Sequence, residues 1–206
     1  CKQLDIVLLM NTTQYQTRSK SAHKREVTID SLSTKLNSFK PSEEMMAAPP
    51  IVTAYAWAVN DGKTGDLLWG KHTNEKLEMA SLTKMMNLYV AVKLLKKFSI
   101  DPEKHIVTVS RFAAWIIGTH SGLREGDQIS VKDLFYGMML PSGNDAAHMI
   151  AVCFGNLILQ NSKKNTIAQG GTASPVQEFV KMMNTMAQKI GLKATVFLNA
   201  HGLSEK

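Results

Sequence analysis

Residues Ala80 to Phe98 read Ala-Ser-Leu-Thr-Lys-Met-Met-Asn-Leu-Tyr-Val-Ala-Val-Lys-Leu-Leu-Lys-Lys-Phe, with no glycine or proline. Leu82, Met85, Met86, Tyr89, Val90, Val92, Leu94 and Leu95 cover most of a helical wheel, so the stretch predicts a largely buried helix. At its entrance Ser81 and Lys84 are three residues apart and share one helical face. A serine hydroxyl is a poor nucleophile alone, and a nearby amine can take its proton once burial lowers the lysine pKa. A helix entrance also presents free N–H groups that can stabilise an oxyanion. Ser81 is therefore a candidate nucleophile and Lys84 its candidate base. The plain alternative is a helix cap followed by a surface lysine. Ser21-Ala22-His23-Lys24 has the same spacing without an apolar helix behind it, and is read as coincidence.

Working outward, Ile51 to Val59 is β-branched and aromatic, Asn60-Asp61-Gly62-Lys63-Thr64-Gly65 has turn chemistry, and Asp66 to Trp69 resumes an extended pattern. These three pieces predict a β-hairpin. On the other side, Ser110 to Ile117 predicts a helix and Gly118 to Gly126 a loop. Ser130 with Asp133 resembles a capping box opening a helix through Met139, which Pro141 ends. A further helix is expected from Asn144 or Asp145 to about Cys153, then a polar, glycine-containing insertion over 156–173. Ser174-Pro175-Val176-Gln177 marks another helix start, and Phe179, Met182, Met183, Met186 and Ile190 share one face until Gly191. Residues 1–48 are rich in polar side chains and end near Ala47-Ala48-Pro49-Pro50. They read as a leader or linker, expected to be poorly ordered.

Composition removes several classes of function. The net charge of +7 divides as +2 over 1–48, +1 over 49–160 and +4 over 161–206. The basic residues thus form short clusters rather than a phosphate footprint, and no nucleic-acid partner is expected. Apolar runs such as Ile6 to Met10 fall far short of the ~20 residues of a membrane-spanning helix, so no transmembrane segment is expected in this chain. Cys1 and Cys153 give neither metal-ligand spacing nor a disulfide framework, and none of the 6 histidines forms a His-Glu-x-x-His motif. No metal and no cofactor are expected.

A second motif, Pro141-Ser142-Gly143-Asn144-Asp145-Ala146-Ala147, can present a hydroxyl and an amide to one cleft, or form an ordinary turn between helices. Taken together and in this order, the two motifs resemble the serine-type D-alanyl-D-alanine carboxypeptidases, low-molecular-mass penicillin-binding proteins related to serine β-lactamases. Further landmarks fall in family order: Lys63 to Leu68, Ser121-Gly122-Leu123, Val131 to Leu134, Phe179 to Asn184, and Asn199-Ala200-His201-Gly202-Leu203. The resemblance runs from about Ile51 to Leu203. It implies an α+β fold of the β-lactamase/transpeptidase type, with a helical cluster packed on an antiparallel sheet and a carboxypeptidase domain over 49–206. It also implies that Ser81 attacks the penultimate D-Ala carbonyl of a peptidoglycan stem peptide and Lys84 is the base. Ser142 would pass a proton to the departing D-Ala and Asn144 would hold the substrate amide, while β-lactams would acylate Ser81. His201 is expected to be structural. The family setting implies a periplasmic, extracellular or membrane-associated location.

Three departures from the family pattern stand out. Asn87 occupies a position where the resemblance leads one to expect Thr, and Ala200 one where it suggests Pro. Residues 156–173 look longer than the usual connection. The cleft-lining Lys-Thr/Ser-Gly strand of the family follows the His-Gly-Leu landmark, whereas Lys63-Thr64-Gly65 precedes the nucleophile and is read as a decoy in a hairpin turn. The sequence reading therefore expects an incomplete domain, with its C-terminal strands missing from this chain and little turnover by it alone. Two other readings stay open: a catalytically silent domain that binds cell-wall peptide or a partner, and a β-lactamase or esterase on the same fold. No Glu-x-x-x-Asn follows Ser142-Gly143-Asn144 to favour a class A β-lactamase.

Overall fold

The computed structural model describes residues 51–161 and 174–204. Residues 1–48, the Ser21 copy of the Ser-x-x-Lys spacing and most of the expected 156–173 insertion lie outside the described residues. The chain divides into two compact units, Cys1–Leu77 and Glu78–Lys206.

The described part of the first unit is the expected hairpin, with strands β1 (Trp57–Asn60) and β2 (Leu67–Lys71) paired antiparallel and a register shift between Val59 and Asn60. The Asp61 carboxylate accepts hydrogen bonds from the Lys63 and Thr64 amides, at 2.7 and 2.8 Å, which folds the tip back on itself. Lys63-Thr64-Gly65 is thus an exposed turn. The first strand starts six residues later than the β-branched run suggests.

In the second unit a 3₁₀ turn (Ala80–Leu82) leads into α1 (Thr83–Phe98). There follow β3 (Ile106–Thr108), α2 (Arg111–Ala114), β4 (Gln128–Ser130), α3 (Val131–Met139), α4 (Asn144–Asn161) and α5 (Pro175–Lys189). The short ribbon β3–β4, antiparallel with Val107 opposite Ile129, was not legible in the sequence. Its two central residues pack on the helical core.

Helix α4 is the hub, contacted by α1, α2, α3 and α5. Its first three turns are buried almost all round, from Asn144 to Gly155. Helix α1 offers it a stripe of Met86, Val90, Ala91, Leu94 and Leu95, whereas Met85, Tyr89 and Val92 face outward. The helix is therefore one-sided rather than enclosed. From α5, Phe179 and Met183 fill the space against Phe154 and its neighbours, with the Phe154 and Phe179 ring centres 6.4 Å apart. Burying each such side chain contributes roughly 1.5–3 kcal/mol.

Two helix lengths differ from expectation. Helix α4 continues to Asn161 instead of stopping near Cys153, because Leu157 and Ile158 extend its apolar stripe and nothing in 154–161 breaks it. The helix at Ser110 stops at Ala114 although Ser110 caps it, accepting from the Ala113 amide at 3.2 Å. Beyond Ala114 the amides of Trp115 and Ile116 bond back three residues, to the Phe112 and Ala113 carbonyls, and Phe112, Trp115 and Ile117 are exposed, so no buried face carries the helix on; the Ile117 and Thr119 carbonyls accept from Asn144. The other two caps are as read, except that the Ser174 hydroxyl makes no capping bond. Ser130 accepts from the Asp133 amide at 3.0 Å.

Helix α4 meets the start of α5 at Gly155, where a β-carbon would lie 1.9 Å from the Pro175 carbonyl oxygen. Gly155→Ala is expected to cost about 2 kcal/mol or more, read as a lower urea midpoint at unchanged slope. Gly62→Ala, in open space, should stay within about 0.5 kcal/mol of wild type. Equal midpoints for the two variants would contradict this packing.

Candidate active site

Ser81 lies in the 3₁₀ turn and Lys84 three residues on in the first turn of α1, which sets the two side chains on one face. The Lys84 Nζ donates to Ser81 Oγ at 3.1 Å and to the His201 carbonyl at 3.1 Å. Lys84 is only 2% exposed, while Ser81 is exposed. The nucleophile candidate is therefore open to a ligand and its base candidate is desolvated. Burial brings the Lys84 pKa down to about 8, against the opposing attraction of Asp145. An amine with that pKa keeps a small proton-accepting fraction at neutrality, roughly a tenth, which rises to about half near pH 8.

The turn carrying Ser81 begins with Ala80 at φ 46°, a left-handed conformation that a side chain disfavours. The Asn199–Leu203 turn lies directly behind it. A β-carbon on Gly202 would sit 1.8 Å from the Ala80 carbonyl oxygen, so only glycine lets the two backbones meet. The Asn199 side chain shapes this second turn, accepting from the Gly202 amide at 2.7 Å and donating to the Leu203 carbonyl at 2.7 Å. His201 contributes its backbone carbonyl to Lys84, and its Nδ1 accepts from the Leu203 amide at 3.1 Å. Burial, with the charge of Lys84, lowers its pKa to about 4, so the ring is neutral at pH 7.

The second motif forms the N-terminus of α4. Ser142 is half-buried at φ 60°, and its carbonyl accepts from the Thr119 hydroxyl. The Asn144 amide Nδ2 donates to the Ile117 carbonyl at 2.9 Å, and the Asn144 backbone N–H donates to the Thr119 carbonyl at 2.7 Å. Next to it, Asp145 is fully buried and accepts from the Ser121 amide and hydroxyl at 2.9 and 2.8 Å. It also accepts from the amides of Leu123 at 3.1 Å and Ala146 at 2.9 Å. Burial pushes this carboxyl's pKa up, but the hydrogen bonds from Ser121, Leu123 and Ala146 outweigh it and hold it below the ordinary value. The carboxylate thus pins the 117–123 loop to α4.

The structure joins Ser81 to Lys84 by a hydrogen bond. It brings Ser142 and Asn144 to the same end of the unit through their neighbour Asp145, whose charge acts on Lys84. Among the described residues, neither Ser142 nor Asn144 hydrogen-bonds to Ser81 or Lys84. Sequence reasoning assigned no role to Asp145, Asn87 or the His201 carbonyl. An acid in the first turn of a helix was a visible signal for Asp145, but its burial was not.

In architecture the chain is similar to penicillin-binding proteins. It superposes on penicillin binding protein 6B from Escherichia coli with a TM-score of 0.61 at 33% identity, covering 76% of this chain and 45% of that one. On penicillin binding protein 5 from Haemophilus influenzae the TM-score is 0.61 at 31% identity, covering 77% and 42%. The sequence profile of D-alanyl-D-alanine carboxypeptidase matches residues 43–206, and the chain belongs to that family. The D-alanyl-D-alanine carboxypeptidase DacD of Escherichia coli is 35% identical over 161 residues, 75% of this chain. DacF of Bacillus subtilis is 34% identical over 143 residues. The chain spans 37% and 32% of the lengths of these two relatives.

Asp145→Ala would strip the amides of Ser121, Leu123 and Ala146 of a charged acceptor. A loss of about 3 kcal/mol or more is expected in urea denaturation at pH 7. Because the folded-state pKa is lowered, this contribution is in place above the ordinary carboxyl value of ~4 and fades as pH falls through the folded-state value. A loss below about 1 kcal/mol would contradict the pinning role.

Proposed function

We propose that the chain acts as a serine-type D-Ala-D-Ala carboxypeptidase, removing the terminal D-Ala of peptidoglycan stem peptides through an acyl-enzyme on Ser81. The observation that carries this reading is the 3.1 Å contact between an exposed serine hydroxyl and a desolvated lysine amine. Ser81 Oγ attacks the penultimate D-Ala carbonyl as its proton passes to Lys84. The tetrahedral intermediate collapses, the peptide C–N bond breaks, and Ser142 relays a proton to the departing D-Ala nitrogen. Asn144 orients the substrate amide, and water then attacks the acyl ester, restoring Ser81 and releasing the shortened peptide. A β-lactam, whose strained amide takes the place of the scissile bond, acylates the same hydroxyl.

The family match over 43–206 takes in residues 49–206, the region to which this chemistry is assigned. Among the described residues no helix is long and apolar enough to cross a membrane. Substrates of this kind lie outside the cytoplasmic membrane, so a periplasmic, extracellular or membrane-associated location follows from the reading.

The test is labelling of the native full-length protein with a fluorescent penicillin. Ser81→Ala should abolish labelling and Ser21→Ala leave it unchanged. Lys84→Ala should slow it by about a hundredfold or more, the usual contribution of a general base. The rate should climb with pH through a midpoint near 8, because only the deprotonated amine can accept the serine proton. Persistent labelling of the Ser81→Ala protein would falsify the nucleophile assignment, and a flat profile from pH 6 to 9 would remove Lys84 as base.

A further inference from the structure

Asn87 lies one turn beyond Lys84 on α1, with none of its surface exposed. Its Nδ2 donates to two backbone carbonyls on different segments, Ala147 on α4 at 3.1 Å and Ala200 in the 199–203 turn at 3.0 Å. Both amide hydrogens are used, and the two carbonyl acceptors fix which end of the side chain is nitrogen. The other end, Oδ1, is buried with no hydrogen-bond partner among the described residues. A buried acceptor left unsatisfied lowers stability, so its presence calls for a compensating role. A leucine would fill similar space without the orphaned oxygen, and a threonine has a single donor. Only a side chain with two donors on one nitrogen can hold both carbonyls from this position.

We propose that Asn87 is a positioning residue for the Ser81–Lys84 pair, tying α1, the first turns of α4 and the 199–203 turn together so that the His201 carbonyl stays against the Lys84 amine. The inference rests on the acyl-serine reading of this site. Its geometry is direct. The Ala200 and His201 carbonyls belong to successive peptides, so fixing the first leaves only the backbone dihedrals at residue 201 to set the second. The same turn places Gly202 on the backbone of Ala80, one residue before the nucleophile. Ala147 follows Asn144 and Asp145 within one helical turn, so the α4 end of the site is gripped by the same amide. The charged group acting on Lys84 is Asp145 from α4; Lys84 in turn acts on His201 of the turn, and His201 on His148 of α4. None is altered by substituting Asn87, so a change at Lys84 reports how the amine is packed.

The test compares the native full-length protein with its Asn87→Leu and Asn87→Thr variants by two readouts. The first is the rate of acylation by fluorescent penicillin; the second is the titration of the Lys84 Cε resonance by carbon-13 NMR, assigned with Lys84→Arg. Asn87→Leu is expected to slow acylation about tenfold or more. It should also move the Lys84 midpoint upward from near 8, as water reaches the amine. Asn87→Thr, which keeps one donor and the small volume, should fall between Leu and wild type, and it stands as the test if the Leu variant does not fold. Variants that melt earlier but acylate within about twofold of wild type with an unmoved Lys84 midpoint would overturn the inference. Wild-type protein that fails to label at Ser81 would defeat the acyl-serine reading instead, and the Lys84 titration would still decide the role of Asn87.

Discussion

A lysine that is to act as a base near neutrality has to be taken out of water, and a buried amine needs polar partners to remain there. Lys84 meets both conditions through α1, which carries it from the exposed turn at Ser81 into the interior. Its partners are the Ser81 hydroxyl and the His201 carbonyl, neither of which is a charge. The nearby charge is Asp145, which by itself would favour the ammonium form. That carboxylate is occupied by donors from Ser121, Leu123 and Ala146, and its attraction leaves the effect of burial dominant at Lys84.

Much of the remaining structure serves this arrangement. Helix α4 is buried nearly all round at its N-terminal end, which makes it a fixed wall for the site and a platform for α1, α3 and α5. The left-handed Ala80 and Ser142 are strained positions that persist because neighbouring segments determine them, through Gly202 in one case and Thr119 in the other. Strain of this kind collects at functional sites, and here it brackets both motifs.

The helices that owe their form to local pattern were legible in the sequence. Helix α1, the Ser130 cap and the proline at the start of α5 announced themselves, as did the hairpin around Asp61, although α1 buries one face rather than most of its wheel. Where an apolar pattern meets no core, the reading failed: the helix after Ser110 ends at Ala114, with Phe112, Trp115 and Ile117 exposed and the next amides bonding back three residues. The ribbon of β3 and β4 is three residues per strand, too short to show a period of two. Ser81 and Lys84 could be paired by spacing because one helical turn joins them. The parts of the site that depend on contacts across the chain, such as Asn87 to Ala200 and Lys84 to the His201 carbonyl, have no sequence pattern to betray them.

The central claim is that one serine, set on a buried lysine, takes the acyl group. Peptide mapping of the protein after brief exposure to benzylpenicillin examines it directly, since trypsin should release residues 77–84 with Ser81 as its single serine. The account predicts a penicilloyl mass increment on that peptide and on no other. An increment on the peptide containing Ser21 or Ser142, with residues 77–84 unmodified, would contradict it.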